Sequence, residues 1–169
     1  MRVLLIRHAI AVDGVAFAAN GGTDAQRPLT EFGRKRMRKG ANRLRFQIPV
    51  IDVLACSTLL RATETAEIVA RAFGDLSILE RNDLAPDSQH ESLLTWLAGL
   101  PAGTTVALVG HHPHLGLLAG TFAAGIPTPL IAFKKGGVAL FEFADSDVRA
   151  GSGILRWALT PNQLRSLKE

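Results

Sequence analysis

Arg7 and His8 close the apolar, β-branched run MRVLLIRHA. A planar guanidinium fork matches phosphate oxygens, and an imidazole can act as nucleophile or acid/base near neutral pH, so the pair points to phosphate chemistry. The same punctuation recurs twice. An apolar run ending at Cys56 passes into Ser57, with Arg61 one helical turn later, and a run ending at Val109 passes into Gly110 and His111. If the three runs are parallel neighbours in one sheet, their ends open on one edge, where open α/β sheets bind ligands. Two of them feed helix N-termini, whose free N–H groups and dipole attract anions. Two arginines and two histidines would then surround one phosphate-sized hole.

Each residue also has a plainer role. A histidine after a strand can be a satisfied core or surface group, and Arg61 can pair with Glu64 or Glu67. Ser57 and Thr58 read as helix caps, although the Ser57 hydroxyl could also donate to phosphate. Cys56 reads as a small core residue. His112 is expected near the site without being essential, His114 exposed on a helix, and His90 on the surface before another. The histidine tract 111–114 raises the question of metal, but no carboxylate or cysteine stands at a convincing ligand spacing.

The elements that must position these groups alternate. Residues 3–6, 51–56, 105–109 and 138–143 read as buried or half-buried strands, with weaker candidates at 77–79 and Ile154–Leu159. Thr30 can cap a first helix carrying Met37, Ala41, Leu44 and Ile48 at helical spacing, with Gly40 a weak point in it. A second helix carries Ala62, Ala66, Val69 and Phe73 and stops at Gly74. A third covers 91–97, and a fourth starts at Pro113. Strand–helix alternation implies an α/β sheet covered on both faces. Residues 12–26, rich in Gly, Ala and Asn, read as a mobile loop over the crevice.

Length and composition set the frame. The 169 residues suit a single domain, 1–169, with a sizeable core, and 47% apolar with 20% charged residues excludes a disordered chain. No apolar run reaches membrane-spanning length, and Arg7 and His8 interrupt the N-terminal run where a secretory core would continue, so a cytoplasmic location is expected. One cysteine cannot make an intrachain disulfide. The net charge of +4 concentrates between Arg34 and Arg45. With no interleaved aromatics to stack bases, that stretch reads as a solvated helix face or a dock for an acidic protein, and no nucleic-acid partner is expected.

In order along nearly the whole chain, LLIRHA, RPLTEFG, CSTLLRATETA and LVGHHPHLG resemble the motifs of the histidine phosphatase superfamily and, within it, of the short SixA-like phosphohistidine phosphatases. The resemblance implies a phosphoglycerate mutase-like fold, a three-layer αβα sandwich with a mostly parallel central sheet. It implies that His8 is the nucleophile and becomes a transient phosphohistidine, while Arg7, Arg61 and His111 hold the phosphoryl oxygens. Neither metal nor other cofactor is then required. His111 is expected as the imidazolium, with activity depending on pH around the reference histidine value of about 6.5.

Two departures stand out. The nucleophile motif of the family usually ends in Gly, where this chain has Ala9, and Gly tolerates backbone angles that Ala does not. Phosphomonoesterases of the superfamily also carry a carboxyl general acid, and the matching stretch NDLAPDSQHES offers Asp83, Asp87 and Glu91 without the usual acid motif. An alkoxide needs a proton as it leaves, whereas an imidazole can already carry one. The expected substrate is therefore a histidine-phosphorylated protein in signal transduction, with a monomeric enzyme favoured. The alternatives are a small-molecule phosphomonoesterase with Asp83 or Asp87 as acid, or a phosphate-binding module without turnover.

Overall fold

The N-terminal apolar run forms strand β1 (Arg2–Arg7) at the middle of a six-stranded sheet. The structure, a computed structural model, describes residues 1–144 and 147–168. After β1 come helices α1 (Gly14–Ala19) and α2 (Glu31–Leu44), strand β2 (Val53–Cys56), helix α3 (Leu60–Ala72) and strand β3 (Ile78–Glu80). Helix α4 (Glu91–Ala98), strand β4 (Thr105–Gly110), helix α5 (His114–Ala124), strands β5 (Val138–Glu142) and β6 (Ile154–Leu159) and helix α6 (Pro161–Ser166) complete the order. The sheet runs β3-β2-β4-β1-β5-β6. The first four strands of the chain are parallel; β5 is antiparallel to both neighbours.

Strand side chains alternate between the faces, and each face is covered. Leu4 and Ile6 of β1 pack with Met37, Ala41 and Leu44 of α2, Ala62, Ala66 and Val69 of α3, and Leu164 of α6. Val3 and Leu5 turn the other way, onto Leu93 and Leu97 of α4 and Leu115, Leu118 and Phe122 of α5. The result is the αβα sandwich the alternation implied. Because β1 and β2 are parallel, α2 must return from the carboxyl edge of the sheet to the amino edge. Its first turn therefore lies by Ile10, and its last basic residues lie at the far edge. The basic helix is mostly a surface face: Arg34 pairs with Glu64 at 2.6 Å, Arg38 with Glu31 at 3.3 Å, and Arg36 lies over the Phe32 ring.

Four local expectations change. Residues 12–26 fold into α1, capped by Asp13, and a short 3-10 turn, Asp24–Gln26. Asp13 accepts from Ala16 N–H at 2.9 Å, an interaction a composition-based reading cannot see. Helix α5 begins at His114, with Pro113 at its N-cap. Gly40 is not merely a weak point: a Cβ there would lie 3.2 Å from Leu164, so its absence lets α6 approach α2. Helix α6 follows a Thr160–Gln163 capping box outside any expected element. Among the described residues no helix is long and apolar enough to cross a membrane.

Candidate active site

Strand register brings the predicted groups together. Arg7 pairs with Gly110, and Cys56 pairs with Val109, so β1, β4 and β2 end side by side. The residue after each end is then His8, His111 or Ser57. The ladder extends one bond further on two of them, His8 N–H to Gly110 at 2.9 Å and Ser57 N–H to Val109 at 2.9 Å. Arg61, in the first turn of α3, is 4% exposed, and so is His8. The rings of His8 and His111 lie 5.1 Å apart at 53°.

A carbonyl oxygen accepts hydrogen bonds and cannot donate. His8 Nδ1 lies 2.7 Å from the Ala9 carbonyl, so Nδ1 carries the proton and Nε2 keeps its lone pair. Burial pushes the His8 imidazole down to about 3, against the pull of that bond, and Arg61, Arg7 and Arg27 push in the same direction as burial. A neutral ring with one bare nitrogen is what a nucleophile needs.

His111 differs from its expectation. Burial, with His8 and Arg61 beside it, pushes it down to about 3, so the free site holds neutral imidazole rather than imidazolium. Ser57 accounts for much of its setting. The Ser57 hydroxyl lies 2.8 Å from His111 Nε2 and can donate to the bare nitrogen or accept from the protonated one. Ser57 is wholly buried and is not the cap of α3; Leu59 holds the N-cap and Thr58 is exposed. Arg7 Nε, Arg61 Nε and His111 Nδ1 are buried donors or acceptors without a hydrogen-bond partner. Such groups are costly unless something satisfies them.

Two residues missed from sequence join the cage. Arg61 does not pair with Glu64 or Glu67; it donates to Asp24, to the backbone carbonyl at 2.8 Å and to Oδ2 at 3.0 Å. Arg27 reaches the other Asp24 oxygen at 3.1 Å and the Val12 carbonyl at 3.1 Å. Burial pushes the Asp24 carboxyl up, but Arg61 and Arg27 outweigh it and hold it below its usual range. The signal available beforehand was an Asp and an Arg three residues apart, immediately before the Pro-Leu-Thr segment.

The remaining motif residues fasten the His8 loop. Thr30 N–H donates to the Ile10 carbonyl at 2.9 Å, and the Thr30 hydroxyl caps Gly33 N–H at 2.9 Å. A Cβ on Gly33 would lie 2.2 Å from that same carbonyl, which requires glycine there. Glu64 accepts from Leu29 N–H at 2.7 Å and ties the segment to α3. On the other side Gly136, at φ +80°, donates to the Arg7 and His8 carbonyls at 3.1 Å, while Lys134 and Lys135 stay exposed. Residues 134–137 thus form a turn into β5, with Gly137 N–H donating to the Lys134 carbonyl at 2.7 Å. Ala9 donates to Thr65 Oγ1 at 3.0 Å, and Asp75 is the only described non-glycine residue with positive φ. Ala9 therefore adopts a backbone open to any residue.

The carboxylates proposed as acids stand elsewhere. Asp83 forms two bonds with Arg81 and accepts from Ser92 at 3.0 Å; burial pushes it up, but these bonds hold it low. Asp87 and Glu91 line a separate recess together with His90 and His114. His114 is 2% exposed, contrary to its expected place on the surface, and its ring packs edge-on against His90 at 4.8 Å. His112 is half-buried near Arg7, whose charge joins burial in lowering its pKa. Cys56 is a core residue whose thiol burial pushes up to about 12. Among the described residues no three His, Cys, Asp or Glu side chains gather as a metal-ion site.

Residues 3–85 match the model of the histidine phosphatase superfamily, branch 1. An uncharacterised protein of Picosynechococcus sp. is 34% identical over 140 residues, 82% of each chain. Phosphohistidine phosphatase SixA of Escherichia coli K12 is 28% identical over 171 residues, 99% of each chain. A solved structure of the protein histidine phosphatase SixA with tungstate superposes at a TM-score of 0.81, with 27% identity, covering 97% of this chain and 99% of that one. The fold alone is shared with a phosphoglycerate mutase of Plasmodium falciparum, at 17% identity and a TM-score of 0.64, over 92% of this chain and 88% of that one. With its motifs in order and its strand ends in register, the chain belongs to the histidine phosphatase superfamily and is a phosphatase with a phosphoglycerate mutase-like fold.

Proposed function

We propose that this phosphatase removes phosphoryl groups from a histidine-phosphorylated protein, a cytoplasmic carrier in signal transduction, through a phosphohistidine on His8, with residues 1–169 acting as one domain. The observation that carries the reading is the state of the carboxylates around the cage. Asp24 is the one that hydrogen-bonds the cage among the described residues, and two arginines hold it ionised. An ionised carboxylate cannot protonate a departing alkoxide. A phosphohistidine substrate does not need one, because its second ring nitrogen can hold a proton already. Phosphohistidine phosphatase SixA of Escherichia coli and the SixA solved with tungstate, an oxyanion, carry phosphohistidine or protein histidine in their names, which supports this reading.

The chemistry follows from the tautomer. His8 Nε2 attacks phosphorus, the bond from phosphorus to the substrate nitrogen breaks, and the electron pair leaves with a neutral imidazole. Arg7, Arg61 and His111 hold the phosphoryl oxygens, with Ser57 supporting His111. The phosphorylated His8 keeps its Nδ1 proton on the Ala9 carbonyl, so its ring is itself a good leaving group. Water then attacks phosphorus, the bond to Nε2 breaks, and the water proton goes to the released phosphate.

The test offers a phosphohistidine protein and p-nitrophenyl phosphate in parallel, with EDTA present, to the wild type and to His8→Ala. Fast loss of phosphohistidine with weak ester turnover, both absent in His8→Ala, is the expected result. Comparable ester turnover that disappears in Asp87→Asn overturns it in favour of a phosphomonoesterase. Absence of any covalent phosphoenzyme leaves only a phosphate-binding module, and loss of activity in EDTA overturns the metal-free mechanism.

A further inference from the structure

Beside the cage lies a recess of about 600 Å³ between the segment leading into α4 and the start of α5. His114 and His90 line it, Leu94 and Leu117 supply apolar wall, and Asp87 and Glu91 supply charge. Among the described residues no lysine or arginine lines it, in a chain whose net charge is +4. His114 is 98% buried by residue, since 2% is exposed, and neither of its ring nitrogens has a hydrogen-bond partner. His90 is already engaged, with Nδ1 2.9 Å from Thr121 Oγ1. The catalytic reading uses none of these groups.

We propose that this recess binds a lysine or arginine side chain of the protein whose phosphorylated histidine enters the cage. The inference rests on the phosphohistidine reading above. Basic side chains carry donors and no acceptors, which complements carboxylates and a neutral imidazole lone pair. Their aliphatic stems suit the leucine walls. A divalent cation is a poorer match, because among the described residues no three potential ligands come together for one. His111 and His114 are three residues apart in the chain, so at most about 10 Å separates their backbone positions. A phosphohistidine and a basic residue one or two helical turns away, at about 5 Å per turn, span that interval. An anion held by Arg7 and Arg61 and a cation held by Asp87 and Glu91 fit one segment in one direction only.

Two measurements test this. In the first, an acetylated, amidated alanine peptide with a single arginine is titrated into the protein, and the imidazole resonances are followed by nitrogen-15 NMR. The His90 and His114 signals are expected to move and the His8 and His111 signals to stay. Glu91→Gln and Asp87→Asn should weaken the response, and a glutamine peptide should give none. In the second, phosphohistidine peptides with arginine or glutamine one turn away are compared. The arginine peptide is expected to show a KM about tenfold lower with the same kcat, and the gap should close in Glu91→Gln, whose phosphoramidate turnover is expected to match that of the wild type. Equal KM values, a gap that survives both variants, or no shift at His114 overturns the proposal. If no phosphohistidine peptide turns over at all, the catalytic reading fails instead, and the NMR arm still decides the recess.

Discussion

Two imidazole pairs at nearly the same separation occupy this molecule: His8 with His111 at 5.1 Å, and His90 with His114 at 4.8 Å. Burial is the largest influence on all four rings and lowers the pKa of each. Their surroundings are opposite. Arginines face the first pair and push its pKa further down, whereas Asp83 and Asp87 face His114 and oppose the push. A buried neutral histidine is thus not a function in itself. The charges across from it decide whether the pocket takes an anion or a cation.

The contrast is sharpest at His8, the proposed nucleophile. His8→Ala should lower phosphohistidine turnover by at least about a thousandfold and abolish the phosphoenzyme, measured by radiolabel trapping. Removing His90 should leave the phosphoramidate rate in place; a comparable loss there would break the distinction between the pairs. Arg61→Gln comes next, with kcat/KM expected to fall about a hundred- to thousandfold, the usual cost of removing a donor to transition-state charge.

Acid should affect both pairs alike. Unfolded histidines bind protons near pH 6.5, whereas His8 and His111 bind them near 3 and His114 near 4 in the folded protein. The unfolded chain therefore takes up more protons across that window, and stability falls as pH drops from about 6.5 toward 4. Thermal melts at pH 7 and 4.5 should show a Tm lower by several degrees at the acidic value. A flat Tm would mean the rings are not held neutral by the fold.

Smaller effects separate the neighbours. Asp24→Asn releases Arg61 and Arg27 from a half-exposed ion pair, and inorganic phosphate should inhibit about two- to fivefold more tightly. Unchanged inhibition would show that Asp24 does not compete for the cage. His90→Ala removes the contact with Thr121 and should cost about 1 kcal/mol in chemical denaturation.

Arg7, His8 and His111 were legible because each lies at or just past a strand end, and Arg61 because it follows one by a helical turn; a strand end is a local signal. A β-branched run followed by Arg-His, Ser or Gly-His announces its own boundary, and parallel pairing then brings the boundaries to one edge. Ser57 was harder, since a serine before a helix has a ready role as a cap, and only its distance to His111 assigns it another. The segment 12–26 was illegible: the Asp24 contact with Arg61 joins residues 37 apart, through a stretch whose composition resembles any exposed turn. His114 misled for a similar reason. It opens a helix, where side chains are commonly exposed, and it is buried because the segment before α4 folds over it.

By itself the sequence determined the order of the strands and of the four longest helices, the histidines and arginines that meet at one edge of the sheet, and the family they belong to. These depend on periodicity and on residues close to element boundaries. Only the tertiary structure decided which nitrogen of His8 is bare, that His111 is neutral, that Asp24 holds Arg61, and that a second pair of histidines faces carboxylates. Protonation and pairing depend on burial and on charges brought from distant parts of the chain, and neither exists until the layers close.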